Sequence, residues 1–82
     1  MMTINQAPLH KYLRVKSFGS QELKEISDIE SRLMHMGFLE GARIQVVKKA
    51  PLFKEPLLVE VRGRLIALSS SEAALVSVEV EL

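Results

Sequence analysis

The order of stop and turn signals between residues 32 and 61 constrains the fold of this chain more than any other feature. A short helical pattern ends at Gly37, a second glycine follows at Gly41, and an alternating strand pattern begins there. Glycine suits the left-handed residue that closes a helix, because it carries no Cβ. A loop bounded by Pro51 and Pro56 then separates this strand from the next. These signals predict one short helix followed by paired strands.

Capping-box patterns mark the helical segments. The Ser27 hydroxyl can accept a hydrogen bond from the Glu30 amide while the Glu30 carboxylate accepts one from the Ser27 amide, which predicts a helix over residues 28–36. Apolar residues at i, i+4 and i+7 place one stripe of this helix against a core. The stripe consists of Ile29, Leu33 and Met36. The same pattern at residues 69–72 predicts a short helical turn at about 71–75.

Alternation of apolar and polar side chains predicts five strands. They cover residues 12–18, 41–49, 57–61, 65–68 and 76–82. The last strand is predicted to bury its valines and to turn Ser77, Glu79 and Glu81 toward solvent. The residues Arg62-Gly63-Arg64 predict a tight hairpin in which Gly63 takes positive φ.

These elements predict a mainly β fold. A small antiparallel sheet hides its edges best when it curls, so we expect an SH3-like antiparallel barrel of about five strands. The helix lies between the first two strands and the helical turn precedes the last. An open α+β sheet with the helix across one face is the alternative. Residues 1–9 show no regular pattern and are assigned to a flexible N-terminal tail, and residues 10–82 to a single domain.

The composition limits the classes of protein to consider. Eighty-two residues make one small domain. Without cysteine, neither a disulfide nor a thiolate metal site can brace it. The sequence has no apolar run of about 20 residues that could cross a membrane and no recognisable secretory signal. We therefore expect a cytoplasmic protein without membrane insertion.

No group of residues predicts catalysis or a metal site. The serines at 69–71 are explained by capping, and His10 and His35 lie far apart in the sequence, so no nucleophile has a neighbouring base. Met34, His35 and Met36 point about 100° apart on a helix and cannot converge on one ion. We expect neither an enzyme nor a resident metal or cofactor.

Charge is unevenly distributed along the chain. Residues 43–64 carry six basic and two acidic side chains, a net charge of +4, whereas the remainder carries five basic and eight acidic side chains, a net charge of −3. The segment is either a basic binding patch or the solvated outer face of two strands. A nucleic-acid-binding barrel is disfavoured, because only Phe53 lies near enough to stack on bases. A proline-peptide groove is disfavoured by the low aromatic content.

Protein binding is the class that remains. The proline-bounded loop contains Leu52, Phe53 and Lys54, an apolar pair next to a cation that could anchor a partner. The alternative is that Phe53 folds back and fills the end of the barrel. Leu39, in the glycine-flanked turn after the helix, is a second exposed apolar candidate. Electrostatic steering is assigned to Lys48, Lys49, Arg62 and Arg64.

Several short motifs follow one another in a fixed order. They are Arg32-Leu-x-x-x-Gly37-x-x-x-Gly41, Ala50-Pro51-Leu52, Val59-Glu60-Val61, and Ile66-Ala67-Leu68 followed by Glu72-Ala73 and residues 76–80. Over about residues 12–81 this series resembles the FeoA family, small cytoplasmic proteins of bacterial ferrous iron transport. The middle loop departs from the usual Ala-Pro-Leu-Gly-Asp-Pro of the family, since it is one residue longer and lacks the glycine.

The resemblance implies an SH3-like barrel without enzymatic activity. It also implies an accessory or regulatory role, in which the chain binds the cytoplasmic GTP-binding part of FeoB, the membrane Fe(II) transporter. The alternative is a metal- or ligand-sensing module, because the C-terminal SH3-like domain of DtxR-type metalloregulators is similar to this family. A weak homo-oligomer is compatible with either function.

Overall fold

Short strands make up most of the regular structure in the described part of the chain. The computed structural model describes residues 2–18, 28–50 and 55–82. The strands within these ranges are β1 (Met2–Thr3), β2 (Tyr12–Phe18), β3 (Arg43–Lys49), β4 (Leu57–Val61), β5 (Arg64–Leu68) and β6 (Val76–Val80). The helices are α1 (Asp28–His35), α2 (Ser70–Ala73) and a 3₁₀ turn (Ile4–Gln6). Neither α1 nor α2 has the length and apolar character needed to cross a membrane.

The strands form one antiparallel sheet in the order β1-β6-β2-β3-β4-β5. Alternate side chains of each strand point to one side, as the period-two pattern predicts, and there they form an aliphatic core. Its largest fully buried side chains are Phe38, Ile4, Leu13, Leu33, Ile44, Leu57, Leu68, Val15, Val46, Val59, Val61 and Val76. The prediction of a mainly β, antiparallel fold is confirmed, with one strand more than expected.

The additional strand lies in the segment predicted to be a tail. Met2 pairs with Val78 of β6, and Ile4 and Ala7 are completely buried in the core. The Lys49 ammonium also donates to the carbonyl oxygen of Ala7 at 2.9 Å. The boundary at residue 9 is therefore corrected, because residues 2–7 pack as part of the domain. A segment this short shows no period from which its burial could be predicted.

The helix α1 begins and ends close to the predicted residues. Gly37 follows it with φ of +110° and so serves as its predicted left-handed stop. The apolar stripe is confirmed at Leu33, which is buried, but Ile29 is 45% exposed. Glu30 is buried instead; it lies three residues before Leu33 and therefore on the same face of α1. Ser27, the other half of the predicted capping box, lies outside the described residues.

The second helix connects β5, at one edge of the sheet, to β6, which lies between β1 and β2. The Ser69 hydroxyl accepts a hydrogen bond from the Glu72 amide at 3.1 Å, and the Glu72 carboxylate accepts one from the Ser69 amide at 2.9 Å. This capping box confirms the predicted helical turn, although the turn begins one residue earlier. α2 packs on β5 and on the 3₁₀ turn that follows β1. An ion pair between Glu72 and Arg32 also joins it to α1.

The final strand differs from its prediction at one residue. Val76 and Val78 are buried as expected, but Ser77, predicted to face solvent, is also buried. β6 lies between β1 and β2, and Ser77 is paired with Thr3 on one side and Ser17 on the other. Ser77 therefore has a paired strand on each side, and the register of β2 and β6 shifts beside it.

Candidate partner-binding face

Most basic side chains that the structure describes are engaged within the domain. Arg14 and Arg43 bind the Glu81 carboxylate, at 2.9 Å and 2.6 Å. Three more are held elsewhere: Lys16 by Glu79, Arg32 by Glu72 and Lys49 by backbone carbonyl groups. Within the described ranges, four cations have no such partner. They are Lys11, Lys48, Arg62 and Arg64.

Two of these free cations, Lys48 and Arg62, border one largely apolar surface on the outside of the sheet, and Arg64 lies at its hairpin end. Lys48 of β3 lies directly opposite Leu58 of β4, which lies opposite Ala67 of β5. In the next row, Leu65 lies opposite Glu60 and is 62% exposed. We name this surface the β3–β5 face. Its members are Lys48, Leu58, Glu60, Arg62, Leu65 and Ala67. The exposed Arg64 lies at the hairpin end, opposite Val61 on the buried side of β5.

The hairpin between β4 and β5 presents the two arginines at one end of this face. Arg62 and Gly63 both take positive φ, +53° and +78°. Positive φ at both central residues defines the type I′ turn, whose twist matches that of paired strands. The prediction for Gly63 is confirmed, and the left-handed conformation of Arg62 is a further finding. Arg64 then opens β5 with an exposed side chain.

A shallow groove at the other end of the face adjoins the proline-bounded loop. It is lined by Lys48, Ala50, Pro56 and Leu58 and has a volume of about 230 Å³. Three predicted anchors, Leu52, Phe53 and Lys54, lie in the part of the loop outside the described residues. The described flanks nevertheless bring both ends of that loop to the groove beside Lys48.

The other two predicted contact residues are placed differently. Leu39 is 44% exposed, in the turn whose Gly37 lies against Val61, the last residue of β4 before the hairpin. Lys49 points to the opposite side, where its ammonium donates to the carbonyl oxygens of Asn5 and Ala7 at 3.3 Å and 2.9 Å. This placement favours a structural role for Lys49, which fastens the N-terminal segment to β3.

Sequence reasoning missed a second cluster on the neighbouring strands. The Arg43 guanidinium stacks on the exposed Tyr12 ring, with Cζ 4.0 Å from the ring centroid. Hydrogen bonding by Arg43 lowers the pKa of the Glu81 carboxyl, and Arg14 adds to the effect. The pKa of Arg43 is raised in return, chiefly by the same hydrogen bond. The cluster depends on the β2–β3 register, which sequence cannot supply across the long connection between those strands.

A groove of about 390 Å³ lies between this cluster and the hairpin. Its lining includes Tyr12, Arg43, Glu60 and Arg62. The groove mixes one aromatic ring, two guanidinium groups and one carboxylate, so its chemistry is that of a polar protein contact. The described residues contain no group of three histidine or carboxylate side chains placed to hold a metal ion.

Together these observations define a small SH3-like β domain that presents a mixed basic and apolar face. The model of the FeoA domain matches residues 2–80. The chain therefore belongs to the FeoA family. The match also includes the N-terminal strand that the sequence pattern did not reveal. A comparison with curated protein sequences gave no significant match.

Solved structures of FeoA proteins share the fold. The FeoA protein of Stenotrophomonas maltophilia, solved with zinc and described as an SH3 domain protein, is 39% identical, with a TM-score of 0.80 over 96% of this chain and 91% of that one. The iron(II) transport protein A of Clostridium thermocellum is 29% identical, with a TM-score of 0.84. The match covers 96% of this chain but only 45% of that protein. The predicted SH3-like architecture and the resemblance to FeoA are confirmed.

Proposed function

We propose that this chain is a non-enzymatic accessory protein of bacterial ferrous iron uptake that acts in the cytoplasm. Its partner in this proposal is the cytoplasmic GTP-binding part of FeoB, the membrane Fe(II) transporter, which the β3–β5 face binds. Membership of the FeoA family supports the pathway. The same pathway is named for the C. thermocellum relative, an iron(II) transport protein.

One observation carries the choice of surface. Leu58 and Ala67 lie in one row of the sheet, and Leu65 lies in the next, opposite Glu60. Lys48, Arg62 and Arg64 lie around these apolar side chains, and none of the three cations has an ion-pair partner within the described residues. Elsewhere on the sheet, the exposed cations Arg14, Lys16 and Arg43 are paired. An apolar centre with a free basic rim is the usual composition of a protein interface that recruits an acidic surface.

Binding measurements with two matched variants test this proposal. Leu65→Asp places a carboxylate at the centre of the face, and Ile29→Asp places one at an exposed apolar position on α1. Calorimetric titration with the cytoplasmic part of FeoB should show at least tenfold weaker binding for Leu65→Asp, the effect of losing a central apolar contact worth about 1.4 kcal/mol. Ile29→Asp should bind as the wild type does. Equal affinities for all three proteins would contradict the proposal.

A further inference from the structure

No strand among the described residues pairs with the outer edge of β5. β5 is last in the strand order, and β4 pairs with it along its whole length, from Val61 opposite Arg64 to Leu57 opposite Leu68. In a two-residue hairpin the residues flanking the turn exchange backbone hydrogen bonds, and such pairs alternate with pairs that do not. The backbone groups of Arg64, Ile66 and Leu68 therefore point toward β4.

The backbone groups of Leu65 and Ala67 point away from the sheet. No hydrogen bond from the described chain reaches them, and both residues are exposed. Proteins usually protect such an edge with a proline, a bulge or an inward-pointing charge. From Leu65 to Leu68 β5 contains none of these, because that part of its sequence is Leu-Ile-Ala-Leu and its pairing with β4 is unbroken; the charge of Arg64 lies at the hairpin end. The opposite edge of the sheet is only the two residues of β1.

Charge indicates what kind of segment this edge would accept. Arg62 and Arg64, at the hairpin end of β5, have no ion-pair partner in the part of the chain that the structure describes, and the strand itself carries no acidic residue. A second copy of β5 would therefore bring further cations and no carboxylate to balance them. An extended segment with acidic residues could form ion pairs with the two arginines. Its backbone could also hydrogen bond to the outward N–H and C=O groups of Leu65 and Ala67.

We infer that β5 accepts a strand from the partner, an extended acidic segment that hydrogen bonds to the backbone of Leu65 and Ala67. Apolar side chains of that segment would pack on the outer side of Leu65, and its carboxylates would lie beside Arg62 and Arg64. The identity of the natural partner rests on the proposed function. The capacity of the edge to accept such a strand does not, so the two can fail separately.

Amide hydrogen exchange tests this inference residue by residue. In the free protein, the amides of Leu65 and Ala67 should exchange quickly, whereas those of Ile66 and Leu68 are protected by β4. Saturation with a synthetic octapeptide of alternating valine and glutamate should slow exchange at Leu65 and Ala67 roughly tenfold or more. The control octapeptide of alternating valine and lysine should have no effect. Equal protection by the two peptides, or none by either, would overturn the inference.

The same exchange measurement with the cytoplasmic part of FeoB separates the two proposals. Protection of Leu65 and Ala67 by the cytoplasmic part of FeoB supports both. Binding of that part without protection overturns strand addition by the natural partner and leaves the proposed function standing. Protection by the acidic peptide with no binding of the FeoB part contradicts the proposed function, while the edge remains an acceptor of acidic strands. A dimer of the free protein with these amides already protected would overturn the inference in favour of self-pairing.

A pair of variants provides a second readout. Ala67→Pro removes one outward amide and leaves the ladder to β4 intact, since proline is tolerated on edge strands. Ala67→Ser keeps the amide and changes only the exposed side chain. Strand addition predicts about five- to tenfold weaker binding of the acidic peptide by Ala67→Pro, the loss of one backbone hydrogen bond. Equal binding by the two folded variants would contradict it, and the wild-type exchange measurement stands if Ala67→Pro does not fold.

Discussion

Arg43 donates to Glu81 at 2.6 Å and so fastens β3 to the residue that follows the final strand. The same carboxylate accepts from Arg14, which lies directly opposite Arg43 across β2 and β3. Two like charges facing each other on paired strands are destabilising unless an anion lies between them. Glu81 supplies that anion. Both arginines are therefore engaged within the domain, and the described cations without a partner lie elsewhere.

The Glu81 carboxylate should make stability depend on pH. Its pKa in the folded protein lies below the ordinary value of 4.5, because it accepts from Arg43 and Arg14. A lowered pKa means that the contribution is fully present above pH 4.5 and is lost as the pH falls through the lowered value. Denaturant unfolding should therefore find Glu81→Gln less stable than the wild type at pH 7, with the difference shrinking in acid. A difference that stays constant down to pH 2 would contradict this assignment.

Two glycines with positive φ should respond differently to alanine. A Cβ on Gly37 would lie 2.8 Å from a methyl carbon of Val61, whereas one on Gly41 would meet nothing within 4 Å. Both substitutions force alanine into a left-handed conformation at a cost of roughly 1–2 kcal/mol, and Gly37→Ala adds overpacking worth about 1–3 kcal/mol. Thermal unfolding should show the larger loss for Gly37→Ala. Equal losses would mean that the turn after α1 does not press on β4.

Replacing Arg62 in the hairpin should raise the stability of the protein and weaken its binding to the partner. An arginine at φ of +53° is strained, and asparagine is preferred at this position of a type I′ turn. Arg62→Asn should therefore raise the free energy of unfolding by about 1 kcal/mol, or the melting temperature by about 4–8 °C. The same substitution should weaken binding to the FeoB part and reduce its dependence on salt. Unchanged affinity together with higher stability would exclude Arg62 from the interface.

The proline-bounded loop has its own test. Leu52→Asp combined with Phe53→Asp should reduce capture of the cytoplasmic part of FeoB in a pull-down, because both residues are predicted anchors in the loop whose flanks, Ala50 and Pro56, line the groove. Leu52→Ala combined with Phe53→Tyr is a milder control that keeps the loop uncharged. Equal capture of the wild type and the aspartate variant would remove the loop from the proposal. Loss of folding in the aspartate variant, seen by circular dichroism, would instead favour Phe53 as part of the core.

Features that depend on residues close in sequence were predicted correctly, whereas features that depend on contacts between distant segments were not. Period-two alternation identified β2 to β6, and the Ser69–Glu72 capping box identified α2, because each depends on residues close in sequence. The burial of Ile4 against β6 and the stacking of Arg43 on Tyr12 depend on pairings between distant segments. No local pattern specifies those registers, so the N-terminal strand and the second groove were missed.

The candidate face shows the same division. Lys48, Arg62 and Arg64 were recognised from charge alone, and their side chains are free in the described structure. Lys49 carries the same charge but points to the N-terminal segment, which only the fold of that segment reveals. Leu65 was not recognised as a binding candidate. Successive residues of β5 are apolar, so the sequence does not show which of them face the core.

Chemical-shift mapping is the most direct test of the central claim that the β3–β5 face binds the transporter. The cytoplasmic part of FeoB is added to the isotopically labelled protein, and backbone amide shifts are followed. We predict that the largest changes fall on Lys48, Leu58, Leu65 and Ala67, with little change around the paired Lys16 and Glu79 on β2 and β6. Binding with its largest changes around Lys16 and Glu79, and none on β5, would contradict the account.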